Sequence, residues 1–325
     1  MQTPATRLPT ALSLLLGCLV AVTTFGGGPD DWKPEASWGP YRERGTGKLI
    51  KKAELAEKKG KYKKAIGLYR KIQKESVNLK NKGKALVKQG DCLGQMEEPW
   101  KAFEKYREAV DEYRSHIAFS EVLEAEFALS KQFGHKKQRD RFLFVTFSTE
   151  DKAVDILDHI VTVGPYSKVA PKAMHRVGII RIAQDDYESA IMRFRRLLKQ
   201  YPRHTLAADG RLDLARALLL EAEAGDGDGT LVREARASLD RFIKSYPEHA
   251  RFDEAKALVL NAESMEATRL LDLAQFYLRE AHYRPAAAKQ YLSDIVMHYP
   301  RSGTAGLAQI MLNSLDRRQT NLEKD

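Results

Sequence analysis

Cysteine is nearly absent from this chain, with only Cys18 and Cys92 in 325 residues. A disulfide framework needs more pairs in a shorter chain, so cross-links do not define the fold. Glycine (21) and proline (12) are also sparse, and several prolines recur at regular positions, as punctuation between repeated helices does. The signatures of enzyme chemistry are missing too. No glycine loop followed by Lys-Ser or Lys-Thr is present to cradle a phosphate. No serine or cysteine nucleophile stands in an elbow, and no pair of carboxylates marks a glycosidase. Of the eight histidines, His116, His135, His159 and His175 stand far apart, without cysteines or paired carboxylates at ligand spacing. His204, His249 and His298 lie beside Tyr-Pro dipeptides, a recurrence that points to capping or packing. Asp226 and Asp228 alternate with glycines but lack the rest of a calcium loop, which reads as a linker. The expectation is a non-enzyme with no cofactor and no metal.

What the chain does have is helix-forming material: 43% hydrophobic and 30% charged residues, the composition of a soluble helical protein. The net charge of +10 is localised. Residues 41–82 hold fifteen Lys or Arg against four Glu, a local +11, so the remainder is close to balanced. Anionic lipid head groups or an acidic partner would suit the basic hairpin 48–82. A second candidate contact is the apolar run 141–147. Cys92, inside a helical pattern, reads as a small packed residue.

Residues 1–25 combine one Arg, an apolar run too short and broken to span a membrane, and small residues after it. That describes an export leader. Within it, Leu15-Leu16-Gly17-Cys18 resembles a bacterial lipoprotein box, which would make Cys18 the lipid-attachment site. An ordinary signal cut near Gly26, discarding Cys18, fits the same residues. Residues 26–46 read as a flexible tether.

From residue 47 a pattern repeats. Alanine followed four positions later by a large residue appears as Ala65/Tyr69, Ala102/Tyr106, Ala153/Leu157, Ala190/Phe194 and Ala235/Leu239, with a weaker copy at Ala286/Gln290. Residues i and i+4 share a helix face, so the alanine admits a close neighbour and the large residue fills the next groove. Pro165, Pro202 and Pro247 each fall twelve residues after the alanine, and Pro300 falls fourteen after. Proline ends each second helix at a fixed length. Small residues eight after each proline (Ala173, Gly210, Ala255, Ala308) open the next hairpin. Repeats of this kind predict an all-α, right-handed superhelical solenoid of about six tetratricopeptide-like hairpins. The hairpins fall at roughly 47–80, 81–115, 117–164, 168–203, 205–248 and 252–301. A C-terminal capping helix to about residue 317 and a tail at 318–325 complete the chain. The region divides into N-terminal repeats (47–164), basic at their start, and further repeats with the cap (165–317). Insertions are expected at 135–147 and 225–229.

Three stretches, 237–249, 273–283 and 295–305, together resemble the BamD-type (ComL/YfiO) outer-membrane lipoproteins, over roughly residues 165–315. The resemblance implies an acylated Cys18, a lipid anchor at the periplasmic face of the outer membrane, and no catalytic residue. It also implies a scaffold role in β-barrel protein assembly. The partners implied are the barrel insertase, other assembly lipoproteins or unfolded clients, with no nucleic acid. A periplasmic adaptor for peptidoglycan or division machinery is the alternative.

Overall fold

The computed structural model describes residues 46–133, 149–225 and 227–322. The leader with Cys18, most of the tether, the insertion with its apolar run 141–147, and Asp226 lie outside the described residues. Within them every regular element is helical. In chain order the α-helices are α1 (Thr46–Lys58), α2 (Tyr62–Glu75), α3 (Leu79–Gln95), α4 (Pro99–Tyr113), α5 (Phe119–Ser130), α6 (Thr149–Val163), α7 (Ala170–Ala183), α8 (Tyr187–Gln200), α9 (Leu206–Gly225), α10 (Thr230–Ser245), α11 (Phe252–Leu278), α12 (Pro285–His298) and α13 (Ala305–Leu322). Consecutive helices pair into six hairpins, and α13 covers the last one. The odd-numbered helix of each hairpin is here called A and the even-numbered helix B. The cap runs on to Leu322, past the predicted stop at 317.

The alanine rule holds and is more regular than the sequence suggests. Ala65, Ala102, Ala153, Ala190 and Ala235 are all fully buried, each followed by a buried Tyr, Leu or Phe four positions on. The sixth copy needs correction. Ala286 is exposed, and the buried pair is Ala288/Leu292. A 3₁₀ turn at Glu280–His282 and Pro285 in the first turn of α12 delay that helix by two residues. Ala288 then stands three residues into its helix, as Ala65, Ala102 and Ala190 do, and twelve before Pro300.

The turns are built from repeated backbone bonds. Between A and B, Gly60, Glu97 and Asp185 have φ of 68°, 59° and 59°. The next N–H in each case (Lys61, Glu98, Asp186) reaches back to the carbonyl of Ala56, Leu93 or Arg181 at 2.9–3.0 Å. This is the left-handed helix stop that satisfies the orphan carbonyls of the A helix. Only the first copy uses glycine; Asp185 is of a type enriched at positive φ, and Glu97 is not. Between hairpins, the Tyr-Pro turns also repeat. Leu206 and Arg251 donate their N–H to Nδ1 of His204 (3.1 Å) and His249 (3.2 Å). Both histidines therefore brace the turn by accepting from the backbone two residues on. His298 is not their counterpart: it stands before the Tyr-Pro pair, contacts the Asp294 carbonyl, and leaves the turn position to Ser302.

Glycines allow the tightest helix contacts. A Cβ on Gly90 of α3 would lie 2.5 Å from the Tyr106 ring of α4, and one on Gly178 of α7 would lie 2.5 Å from the Phe194 ring of α8. Both glycines precede their aromatic by sixteen residues. The apolar interior forms three clusters, spanning Ile50 to Cys92, Leu86 to Ala262, and Ala267 to Leu315. The long helix α11 joins the last two. Its first half, with Ala255 and Ala262, faces the second cluster, and its second half, with Leu270 and Ala274, faces the third. The polar seam between them is closed by Arg236–Glu263 and Arg269–Glu266 pairs.

Candidate functional site

From one hairpin to the next, the B helix packs on the following A helix (α2 on α3, α6 on α7, α8 on α9, α10 on α11), and A helices also meet directly where α7 touches α9 and α9 touches α11. Two cavities open on this A-helix face. The first, about 790 Å³, is bordered by α1, α3, α4 and α5. Its wall is a chain of paired groups. The Tyr69 hydroxyl donates to Glu57 at 2.5 Å, and Lys88 bridges Glu57 (3.0 Å) and Asp91 (3.2 Å). The Tyr106 hydroxyl donates to Asp91 at 2.8 Å. Burial, with Glu57 for one and Asp91 for the other, raises both phenols well above their ordinary range. Burial alone would lower Lys88, but Asp91 and Glu57 hold its ammonium above the usual value. Cys92 lies beneath, 1% exposed, its thiol pushed up to about 12 by burial and then Glu57. It is a packed thiol and not a nucleophile.

The second cavity, about 370 Å³, lies between α5, α7 and the turn entering α9. Phe127, Ile179 and Leu206 supply its apolar wall, and Lys172, His175, Arg176, His204 and Thr205 its polar one; no carboxylate lines it among the described residues. Arg176 Nε is buried without a hydrogen-bond partner among the described residues. Burial lowers the Arg176 guanidinium, with no described acid to offset it. Burial and then Lys172 lower the His204 imidazole. Buried polar groups are seldom left unpaired, and a positive cavity beside apolar surface is suited to an acidic side chain on an apolar segment. Composition gave no hint of this site, because Lys172, Arg176 and His204 belong to a charge-balanced region and meet only through hairpin stacking.

Two histidines kept apart in sequence acquire carboxylate partners. His159 Nδ1 lies 3.0 Å from Glu126, 33 positions away, and His175 Nε2 lies 2.9 Å from Asp213, 38 positions away. Each ring also stands edge-on to a phenylalanine, Phe103 or Phe194. The carboxylates behave oppositely. Asp213 is 1% exposed and accepts from Arg251 at 2.7 Å as well as from His175, with Arg216 at 3.3 Å. Burial would raise it, but His175 and Arg251 outweigh burial and lower it. Glu126 is fully buried, has one oxygen without a partner among the described residues, and is raised by burial despite His159. The folded state therefore holds the Glu126 proton more firmly than the unfolded chain, and this contribution to stability fades as pH rises through the folded value. Glu126→Gln removes the buried charge and keeps an acceptor for His159. It is expected to melt at or above the wild-type temperature, with the advantage growing from acid to neutral pH. A loss of about 3–5 kcal/mol, the cost of breaking a net-favourable buried pair, would contradict this. Thermal melts across that pH range decide it.

In the 225–229 insertion, Asp228 accepts from the Thr230 N–H at 2.9 Å, bracing the turn into α10. Among the described residues no group of three or more His, Cys, Asp or Glu is placed to hold a metal ion. No described helix is long and apolar enough to cross a membrane.

Residues 167–323 match the family model YfiO, described as an outer membrane lipoprotein. The match covers 157 of the 325 residues. No curated protein matches the chain. The matched region and the repeats before it are together similar to several solved structures. A tetratricopeptide repeat protein from Parabacteroides merdae is 15% identical, covers 84% of this chain and 99% of its own, and has a TM-score of 0.37. PilF of Pseudomonas aeruginosa is 15% identical, with coverage of 82% and 97% and a TM-score of 0.31. A thermophilic tetratricopeptide protein of Thermus thermophilus is 15% identical, with coverage of 66% and 99% and a TM-score of 0.31. The matched region begins at the turn into α7, so it includes Lys172, Arg176 and His204, whereas the first cavity and the basic hairpin precede it.

Proposed function

We propose that this chain is a non-catalytic, periplasm-facing scaffold in outer-membrane β-barrel protein assembly. The observation that carries the reading is the match of residues 167–323 to an outer membrane lipoprotein family. In this account residues 1–25 are the leader, Cys18 is the acylated residue, and 26–46 is the tether that holds the repeats at the periplasmic face of the outer membrane. The partners are the β-barrel insertase, other assembly lipoproteins or unfolded clients. They dock along the A-helix face, as solenoids hold extended segments along their inner surface. The cavity at Arg176 takes an acidic side chain from such a segment, and the paired wall at Glu57–Lys88–Asp91 gives the neighbouring surface a fixed shape.

Affinity purification from detergent-solubilised envelopes tests the reading. A large outer-membrane barrel protein is expected in amounts comparable to the bait. Recovery of only cell-wall or division proteins would move the function to a periplasmic adaptor. Arg176→Glu reverses the unpaired charge, and is expected to reduce the co-purified partner about tenfold or more, as loss of one charge-assisted contact does. Its melting temperature should stay within a few degrees of wild type, because Arg176 makes no ion pair among the described residues. Undiminished recovery would remove the cavity from the binding face.

A further inference from the structure

Helix α1 holds its acids on one side, where Lys58 joins them. The only acids of α1, Glu54 and Glu57, border the A-helix cavity, and Glu57 is engaged with Tyr69 and Lys88. The opposite side of α1 and its exit carries Lys48, Lys51, Lys52, Leu55 and Lys59, all exposed and at the spacing of a single helix face. Leu55 is 53% exposed in the middle of this stripe. Lys61, Lys63 and Lys64, just beyond the Gly60 turn, are exposed as well.

We propose that this face of α1 rests on an anionic lipid surface, with the lysines at the head groups and Leu55 dipping between them. Three features favour lipid over an acidic protein or a nucleic acid. A leucine ringed by lysines matches an interfacial helix, whose apolar residue inserts while long basic side chains reach out to the phosphates. The stripe uses lysine throughout, a point charge suited to a diffuse anionic surface, where arginine would suit bidentate recognition. The α1 helix is also the first described element after the proposed attachment point, and the 27 intervening residues span at most about 95 Å. This last point rests on the proposed anchor, while the charge argument does not.

The test uses the full chain with Cys18→Ser, so that acylation cannot supply the binding. Co-sedimentation is measured with phosphatidylcholine vesicles, with and without phosphatidylglycerol. Partition is expected only onto the anionic vesicles, weakening as salt is added. Replacing Lys48, Lys51, Lys52 and Lys59 together by Gln is expected to lower it by up to about a thousandfold. If that variant does not fold by thermal melt, Leu55→Ser decides, with a severalfold loss expected. Absence of partition, or variants that partition like the parent, would overturn the proposal. So would binding to soluble polyglutamate without binding to the vesicles, which would assign the face to an acidic protein. None of these results touches the scaffold reading, which is tested by co-purification.

Discussion

Asp213→Asn lowers folding stability by about 3 kcal/mol, at the low end of what removing one partner of a buried ion pair costs. Asp213 is 1% exposed, but Arg251 and Arg216, at 26% and 33%, retain part of their hydration, so the full penalty is not expected. The carboxylate ties α7 to α9 through His175 and α9 to the start of α11 through Arg251, and Arg251 also engages Asp209 and Glu254. Arg216 pairs with Glu254 in the same network. Loss of the central charge leaves three cationic or proton-donating groups facing each other. Because the folded-state pKa of Asp213 is depressed, its contribution is fully present above the ordinary carboxylate value and is lost as pH falls through the folded one. The stability gap between the Asp213→Asn variant and wild type, from urea melts, should therefore be constant near neutrality and close in strong acid. A gap that widened in acid would contradict the assignment.

Phe194→Ala is expected to cost about 3–5 kcal/mol, the range for emptying a fully buried phenylalanine site. The more discriminating result comes from its partner. Gly178→Ala forces a methyl group to within 2.5 Å of the Phe194 ring, and overpacking of this kind costs about 1–3 kcal/mol. In the double variant Gly178→Ala/Phe194→Leu the smaller side chain leaves room for the methyl group, so the two losses should fall short of additive by about 1 kcal/mol or more. Strict additivity in a double-mutant cycle would mean that helices α7 and α8 do not meet at these residues.

The repeat was legible because it rests on local periodicity. Ala65/Tyr69 through Ala235/Leu239 can be found with i and i+4 spacing alone, and the prolines set helix length. The sixth copy was misplaced by two residues because Ala286 and Ala288 are equivalent in composition, and only the turn before α12 decides which one faces inward. Gly90 and Gly178 left a signal that could have been used: each stands sixteen residues before its aromatic, and Ala53 holds the same place before Tyr69. The left-handed turn at Glu97 left none, whereas Asp185 belongs to a residue type enriched at positive φ and stands in the Gln184-Asp185-Asp186 turn that the sequence marks. The binding face was largely illegible. His159–Glu126, His175–Asp213 and the grouping of Lys172, Arg176 and His204 join residues on different helices, and stacking alone sets which of them meet. For the basic hairpin, the sequence supplied the excess of charge but not its segregation, which depends on Glu54 and Glu57 turning toward the cavity.

The most direct test of the central claim is site-specific photo-crosslinking in intact envelopes. One probe at Ile179, on the wall of the Arg176 cavity, is compared with another at Met192, exposed on the B helix α8. An adduct between the Ile179 probe and an outer-membrane barrel protein or its client is expected, with little from Met192. Adducts from Met192 alone, or from Ile179 only to cell-wall proteins, would contradict it.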